Sequence, residues 1–383
     1  MTKVQGHWFD QDETQAVCAA LTDAGYQALF VGGCVRNALL GEEVGDIDIA
    51  TDALPDQVTE AAKKAGLKPV PTGIDHGTIT VVSGGIPHEV TTFRHDVETD
   101  GRRAVVAYTN KVDEDARRRD FTMNALYARP DGTLVDPLGG LPDLRARRVL
   151  FIEDARDRIK EDYLRILRFF RFFAWYGDPQ PGIDPEGLSA CAELSDGLDT
   201  LSKERIGGEI CKLLSAPDPA PAVAAMSHAG CLSRVLPGAI PKSLPVLVDF
   251  EASLGVLPDA MRRLAVLGGE DPQQNLRLSR ARSRRLDVLR AQALDGTGSA
   301  ELAYRHGSQI AHDVILVRSA LTESALPAGL EAEISRGANA KFPITASDLR
   351  PGFEGAALGA RLKELERRWI ESGFAMTREA LLA

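Results

Sequence analysis

Apolar and polar positions alternate in short runs up to about residue 150 and then give way to long apolar and charged periodicity, which predicts a strand-bearing N-terminal part and a helical remainder. Gln27 to Val31 reads as a short apolar strand, and Cys34 to Leu40 as a helix opening directly behind Gly32 and Gly33. On an extended strand successive side chains alternate faces, so Asp46 and Asp48 point one way while Ile47 and Ile49 point into a core. Gly77 to Ser83 and His88 to Phe93, either side of Gly84 and Gly85, predict a hairpin. Asn124 to Ala128, a turn at Pro130 to Gly132 and Thr133 to Asp136 predict a further strand pairing or a helix end leading into a strand. After Asp154 strand signals become few, and Pro217 to Pro221 and Asp295 to Gly298 interrupt the helical pattern.

With 383 residues, 44% of them hydrophobic and 26% charged, the chain has room for several domains. It carries no run of about 18 uncharged apolar residues and no basic-then-apolar start, so the expectation is no membrane role and a cytoplasmic protein. Cys18, Cys34, Cys191, Cys211 and Cys231 are irregularly spaced, fitting neither a disulfide framework nor a zinc pattern, and read as buried or idle thiols. A formal charge of −10 argues against a nonspecific nucleic-acid coat. Yet Arg277, Arg280, Arg282, Arg284, Arg285 and Arg290 crowd one segment, and Arg361, Lys363, Arg367 and Arg368 another. Such stripes grip RNA through its phosphates or serve as solvated helix faces.

Three clusters carry chemistry. Asp46 and Asp48 are candidate metal ligands and catalytic residues, because two-metal phosphoryl transfer uses carboxylates to hold divalent ions about 3.5 to 4 Å apart, magnesium being the expected ion. An isolated Asp-x-Asp usually means a capped turn; behind Gly32-Gly33 and a short helix, whose free N–H groups suit a phosphate and whose Arg36 adds a fixed charge, it reads as a nucleotidyl-transfer site. In the second cluster, Asp115 to Ala125, Arg118 and Arg119 can grip phosphate while Asp120 and Asn124 can bond a sugar hydroxyl; a charged turn anchored by Phe121 accounts for the same composition. The third runs from Arg158 to Arg171 on one expected helix, with Asp162, Arg165, Arg168 and Arg171 forming a slowly turning stripe and Glu161 placed to pair with Arg165. A carboxylate beside a guanidinium matches the amino donor and ring-nitrogen acceptor of cytosine and adenine and opposes uracil and guanine. A helix laced with surface ion pairs is the bland alternative, and Phe169, Phe170, Phe172, Phe173 and Trp175 read as core.

Together these clusters resemble the class II tRNA nucleotidyltransferases, the CCA-adding enzymes, and the related bacterial poly(A) polymerases. Gly32, Gly33, Arg36, Asp46 and Asp48 look like that family's metal and triphosphate motif, Arg118 to Thr122 with Asn124 like its ribose-selecting motif, and Glu161, Asp162 and Arg165 like its amino-acid template for the incoming base, with Arg168 and Arg171 supporting the nucleotide. Ser202 to Ile206 with Glu209 resembles an element that steadies the template. Asn37 departs from the family, in which many members carry Asp.

The resemblance implies an α+β fold with a polymerase-β-like nucleotidyltransferase head built on a mixed β-sheet (1–150), then an all-helical neck with the base template (151–215), body (216–295) and tRNA-binding tail (296–383). It implies Mg2+ as cofactor, CTP and ATP as substrates, and the acceptor end of tRNA as partner. Thr91 to Arg103 looks like the flexible loop with which complete enzymes switch from C to A addition, and nothing matches the extra arginine-rich signature of poly(A) polymerases. The leading reading is addition of C, C and A to tRNA. Poly(A), CC-only or A-only addition uses the same motifs, and an RNA-binding module with a decayed site is the non-enzymatic alternative. His95-Asp96 and His312-Asp313 lack the further ligands of a phosphohydrolase site and read as structural or incidental.

Overall fold

The computed structural model describes residues 2–100, 103–350 and 352–383. The chain divides into two compact units, Met1–Pro237 and Gly238–Ala383, and the expected head and neck regions share the first.

In the first unit the strands are β1 (Leu29–Val31), β2 (Ile47–Thr51), β3 (Lys68–Gly73), β4 (Thr78–Ser83), β5 (Ile86–Thr92), β6 (Arg94–Asp100), β7 (Arg103–Tyr108), β8 (Tyr127–Ala128) and β9 (Leu134–Val135). Seven form a sheet in the order β3-β4-β5-β2-β1-β8-β9. It is mixed, because β2 runs parallel to β5 while β1 pairs antiparallel with β2 and β8. The predicted hairpin forms: Ser83 faces Ile86, and Gly84 and Gly85 both adopt positive φ (56° and 88°), as a two-residue turn matched to strand twist requires. Leu29, Val31, Ala50, Phe93, Tyr127 and Ile152 build a core on the sheet. The segment expected to be a flexible loop, Thr91 to Arg103, holds the end of β5, the whole of β6 and the first residue of β7, with Gly101 and Arg102 lying outside the described residues.

The helices that bear on the site are α1 (Gly33–Leu40), α2 (Val112–Arg117), α3 (Ala155–Glu161), α4 (Leu164–Tyr176) and α5 (Lys203–Leu214). The single helix expected across Arg158 to Arg171 is in fact two, because Asp162 is extended (φ −154°, ψ 104°). Its carboxylate accepts from Leu164 N at 3.1 Å and its carbonyl from Arg165 N at 2.9 Å, so a local cap competes successfully with helix continuation. Asp162 therefore sits at a joint rather than on the stripe. Phe169, Phe170, Phe172 and Phe173 are core as expected, but Trp175 is 39% exposed, tied to α5 by its indole N–H to Lys212 O.

In the second unit, which among the described residues holds helices and no named strand, α6 (Leu244–Ser253), α7 (Ala260–Leu267), α8 (Arg280–Leu294) and α9 (Ser308–Thr322) pack around buried Leu247, Leu264, Leu289 and Leu316. Asp313 is fully buried there and accepts from Arg262, Arg285 and Gln309, while His312 pairs with the exposed Glu331, so the His-Asp pair is engaged within the fold. All five cysteines are buried thiols.

Candidate active site

Gly32 caps α1 at φ 72° and ψ −122°, a backbone conformation that a side-chain-bearing residue avoids. A Cβ on Gly32 would stand 3.6 Å from Arg119 Nη1 and one on Gly33 3.9 Å from Arg36 Nη2, ordinary contact distances, so it is the backbone conformation of Gly32 and not space that selects glycine there. The turn thus presents bare backbone beside two guanidinium groups.

Across from it, Ile47 and Ile49 are buried, Asp46 is exposed and Asp48 half-buried, so the alternation holds. The parallel register of β2 with β5 sets Glu89 beside Asp48. Burial, then the charge of Glu89, push the Asp48 carboxyl up to about 6, with Asp46 adding to the rise and Arg119 opposing it. The carboxylate oxygens of Asp46 and Asp48 fit a hard divalent cation, which would relieve this repulsion. Glu89, across the β2–β5 register from Asp48, is the further carboxylate at this point. Phosphate oxygens and water would complete the shell, as suits a cation that keeps its waters.

The second cluster is anchored by a residue whose role sequence reasoning missed. Asp115, 1% exposed on α2, accepts from Arg118 Nε (2.8 Å), Arg119 Nη2 (3.0 Å) and the Tyr127 hydroxyl (2.8 Å). Burial alone would raise its pKa, but the adjacent guanidinium groups of Arg119 and Arg118 overrule burial and hold it at about 2. The spacing of Asp115 three and four residues before Arg118 and Arg119 was the available signal.

Asp120 and Asn124 are both buried and joined in one network: Asp120 Oδ1 accepts from Asn124 Nδ2 (2.9 Å), Asp120 Oδ2 from Arg168 Nε (2.7 Å), and Asn124 Oδ1 from Arg36 Nη1 (2.6 Å). Arg36 also donates to Asn37 Oδ1 and to the Tyr176 hydroxyl (2.7 Å) and lies 4.0 Å from the Tyr176 ring centroid. Tyr176, at the far end of α4, gave no local signal in the sequence. The Phe172 ring is shared by Arg36, Arg168 and Arg171, with centroid distances of 5.2, 5.3 and 4.6 Å.

In the third cluster Glu161 accepts from Arg165 Nη1 at 2.5 Å and also pairs with Arg158. Arg165 further donates to Arg158 O and Arg118 O, both at 2.9 Å, which ties it to the second cluster. Ser202 caps α5 and brings Arg205 into its first turn, where Arg205 pairs with Asp162 at 2.6 Å; one turn on, Glu209 accepts from Arg171 Nε at 2.6 Å. The expected site residues of the second and third clusters therefore fall into two linked sets: Asp120, Asn124, Arg168 and Arg171 join Arg36 through hydrogen bonds and the Phe172 ring, while Arg118, Arg119, Glu161, Asp162 and Arg165 are joined through Asp115 and the Arg165 contacts. Glycine backbone, cations and hydrogen-bonded carboxylates arranged in this way can seat a triphosphate and orient a base beside it.

Residues 28–150 match the family described as Poly A polymerase head domain, and residues 182–242 match the one described as a probable RNA and SrmB-binding site of polymerase A. The mitochondrial CCA tRNA nucleotidyltransferase 1 of Mus musculus is 34% identical over 94% of this chain and 86% of its own length, and that of Homo sapiens 33% identical with the same coverage. The crystal structure of the Bacillus stearothermophilus CCA-adding enzyme in complex with CTP superposes with a TM-score of 0.77 at 27% identity, covering 96% of this chain and 94% of that one.

Proposed function

We propose a residue-level mechanism for this chain, which belongs to the CCA tRNA nucleotidyltransferase family. The protein is a nucleotidyltransferase that adds C, C and A to the 3′ end of tRNA from CTP and ATP, with release of pyrophosphate. The observation that carries this reading is the pair of carboxylates beside the bare Gly32–Gly33 turn, in a chain that follows its relatives over nearly their whole length.

The family uses divalent metal, and in our reading the ion is Mg2+, held by Asp46 and Asp48; when bound it screens phosphate charge and makes the tRNA 3′-hydroxyl more acidic. Gly32 and Gly33 admit the triphosphate to the N-terminus of α1, with Arg36 as the cation expected there. Asp120 and Asn124 face the ribose, while Asp162 and Arg165 sort the base, held by Arg205 and Glu161. Arg168 and Arg171 support the nucleotide from α4 through Asp120 and Glu209, and Arg118 carries the Arg165 contact. We retain as proposals the catalytic head (1–150), template-bearing neck (151–215), body (216–295) and tRNA-binding tail (296–383). Among the described residues no helix is long and apolar enough to cross a membrane. A cytoplasmic site of action is likewise our proposal, the mouse and human relatives being mitochondrial by name.

The test is to incubate the protein and magnesium with a tRNA transcript lacking its last three nucleotides, supplying CTP, ATP or both, and to size the products at single-nucleotide resolution. Two additions with CTP and a third only when ATP is present is the expected result. A long A ladder would point to poly(A) synthesis, a stop after two additions with both nucleotides to CC-addition, and no extension to a binding role.

A further inference from the structure

Asn37 stands where many family members carry Asp, and its hydrogen bonds require an amide. Its Oδ1 accepts from Arg36 Nε (3.1 Å) and Nη2 (2.9 Å), and because a guanidinium only donates, the oxygen must face Arg36. Nδ2 is thereby turned to the other side, where it donates to the Glu43 carbonyl across 2.7 Å. The backbone carbonyl of Asn37 accepts from Gly41 N and Glu42 N at the end of α1, so three successive residues after the helix are held from this one position.

Those residues lead to Asp46. Asp48 lies within β2 and faces Glu89 in the ladder, whereas Asp46 precedes Ile47, the first paired residue of the strand, so no strand partner fixes it. Glu42, Glu43, Gly45 and Asp46 are exposed, Val44 is half-buried, and a Cβ on Gly45 would touch nothing. Among the described residues no other hydrogen bond to Glu43, Val44 or Gly45 is found. A segment so lightly packed takes its position from the few bonds it makes.

We infer that Asn37 is a positioning residue of the metal site: its amide carries the position of Arg36, itself held by Asn124 and Tyr176, across to the loop that presents Asp46. This rests on the nucleotidyl-transfer reading above. A carboxylate at position 37 keeps the acceptor that Arg36 needs but sets an oxygen against the Glu43 carbonyl, which drives the loop away. The resulting change in ion affinity is opposite in sign to that of simple electrostatics, since a negative charge added near a divalent cation tightens its binding.

The test uses Mn2+ as the probe, its free ion counted by electron paramagnetic resonance during titration of the full chain, with Asp46→Ala marking the binding that belongs to this site. Asn37→Asp and Asn37→Ala are each expected to weaken Mn2+ binding about fivefold, the worth of one hydrogen bond. The magnesium concentration that gives half-maximal CTP addition to tRNA should rise by a similar factor. At saturating magnesium the KM of Asn37→Asp for CTP should stay within about twofold of the wild type, because Arg36 keeps its acceptor. Wild-type or tighter Mn2+ binding by Asn37→Asp would overturn the inference whether or not Asn37→Ala is impaired, since the residue would then act through Arg36 alone or not at all. Failure of the wild-type protein to extend any tRNA would sink the functional reading alone, because the ion titration reports on the loop by itself.

Discussion

Arg205 donates to the Asp162 carboxylate across 2.6 Å, joining the first turn of α5 to the extended residue between α3 and α4. The contact orients a carboxylate that is itself a third exposed and free to meet a base edge. Arg205→Ala is expected to raise incorporation of UTP and GTP relative to CTP and ATP severalfold, with Arg165→Ala giving the larger change. Because both partners are partly solvated, Arg205→Ala should cost under about 1 kcal/mol of stability. Single-nucleotide extension with each triphosphate, beside a thermal melt, checks both parts; unchanged selectivity in both variants sinks the template assignment.

The Asp46 side chain is exposed at the edge of β2, so its removal separates chemistry from folding. Asp46→Ala should lose turnover to below detection while its stability stays within about 0.5 kcal/mol of the wild type. Retained extension of tRNA with an unchanged magnesium requirement would remove Asp46 from the metal site.

How much of this was legible follows from range. The β2 alternation, the Gly84–Gly85 hairpin and the Glu161–Arg165 pair are set by residues a few positions apart, and periodicity alone located them. The break at Asp162 was missed because a helical stripe and an Asx cap share the same residue types, and only the backbone tells which hydrogen bonds win. Tyr176 reaching Arg36, and Arg205 reaching Asp162, join residues far apart in the chain, which no local pattern encodes. Arg119 shows the limit of motif reasoning: its type and position were readable, but its hold on the Tyr127 hydroxyl was not.

Asp115 gives the first unit a defined acid sensitivity. Its carboxyl falls from an ordinary value of 3.8 to about 2 in the folded chain, so its stabilising contribution is complete above the unfolded value and fades as pH drops from about 4 toward 2. The full contribution is on the order of 2 kcal/mol. Asp115→Asn should therefore be less stable at neutral pH and lose less stability than the wild type across that window. Denaturant midpoints measured at pH 7, 4 and 2.5 check this; parallel losses in the two proteins would show that Asp115 does not carry the linkage.

Asp313 decides whether the His312–Asp313 pair is structure or chemistry. Arg262, Arg263 and Arg285 meet Glu251, Asp259 and Asp313 in a network whose innermost members, Arg262, Arg263, Glu251 and Asp313, are at most 3% exposed. Each of these charges is held by an opposite one, Asp313 by both Arg262 and Arg285, so removing a carboxylate leaves buried guanidinium charge without its partner. Asp313→Asn preserves volume but leaves Arg262 and Arg285 short of one negative charge and turns an amide N–H toward one of them. Removing one partner of a buried pair costs about 3 to 5 kcal/mol, so this variant should melt far below the wild type. His312→Ala should cost under about 1 kcal/mol, because its partner Glu331 is exposed. If the pair instead held a metal, a chelator would lower the melting temperature of the wild type and His312→Ala would abolish that drop; a melting temperature indifferent to chelator, with the large loss confined to Asp313→Asn, identifies the pair as part of the buried charge network.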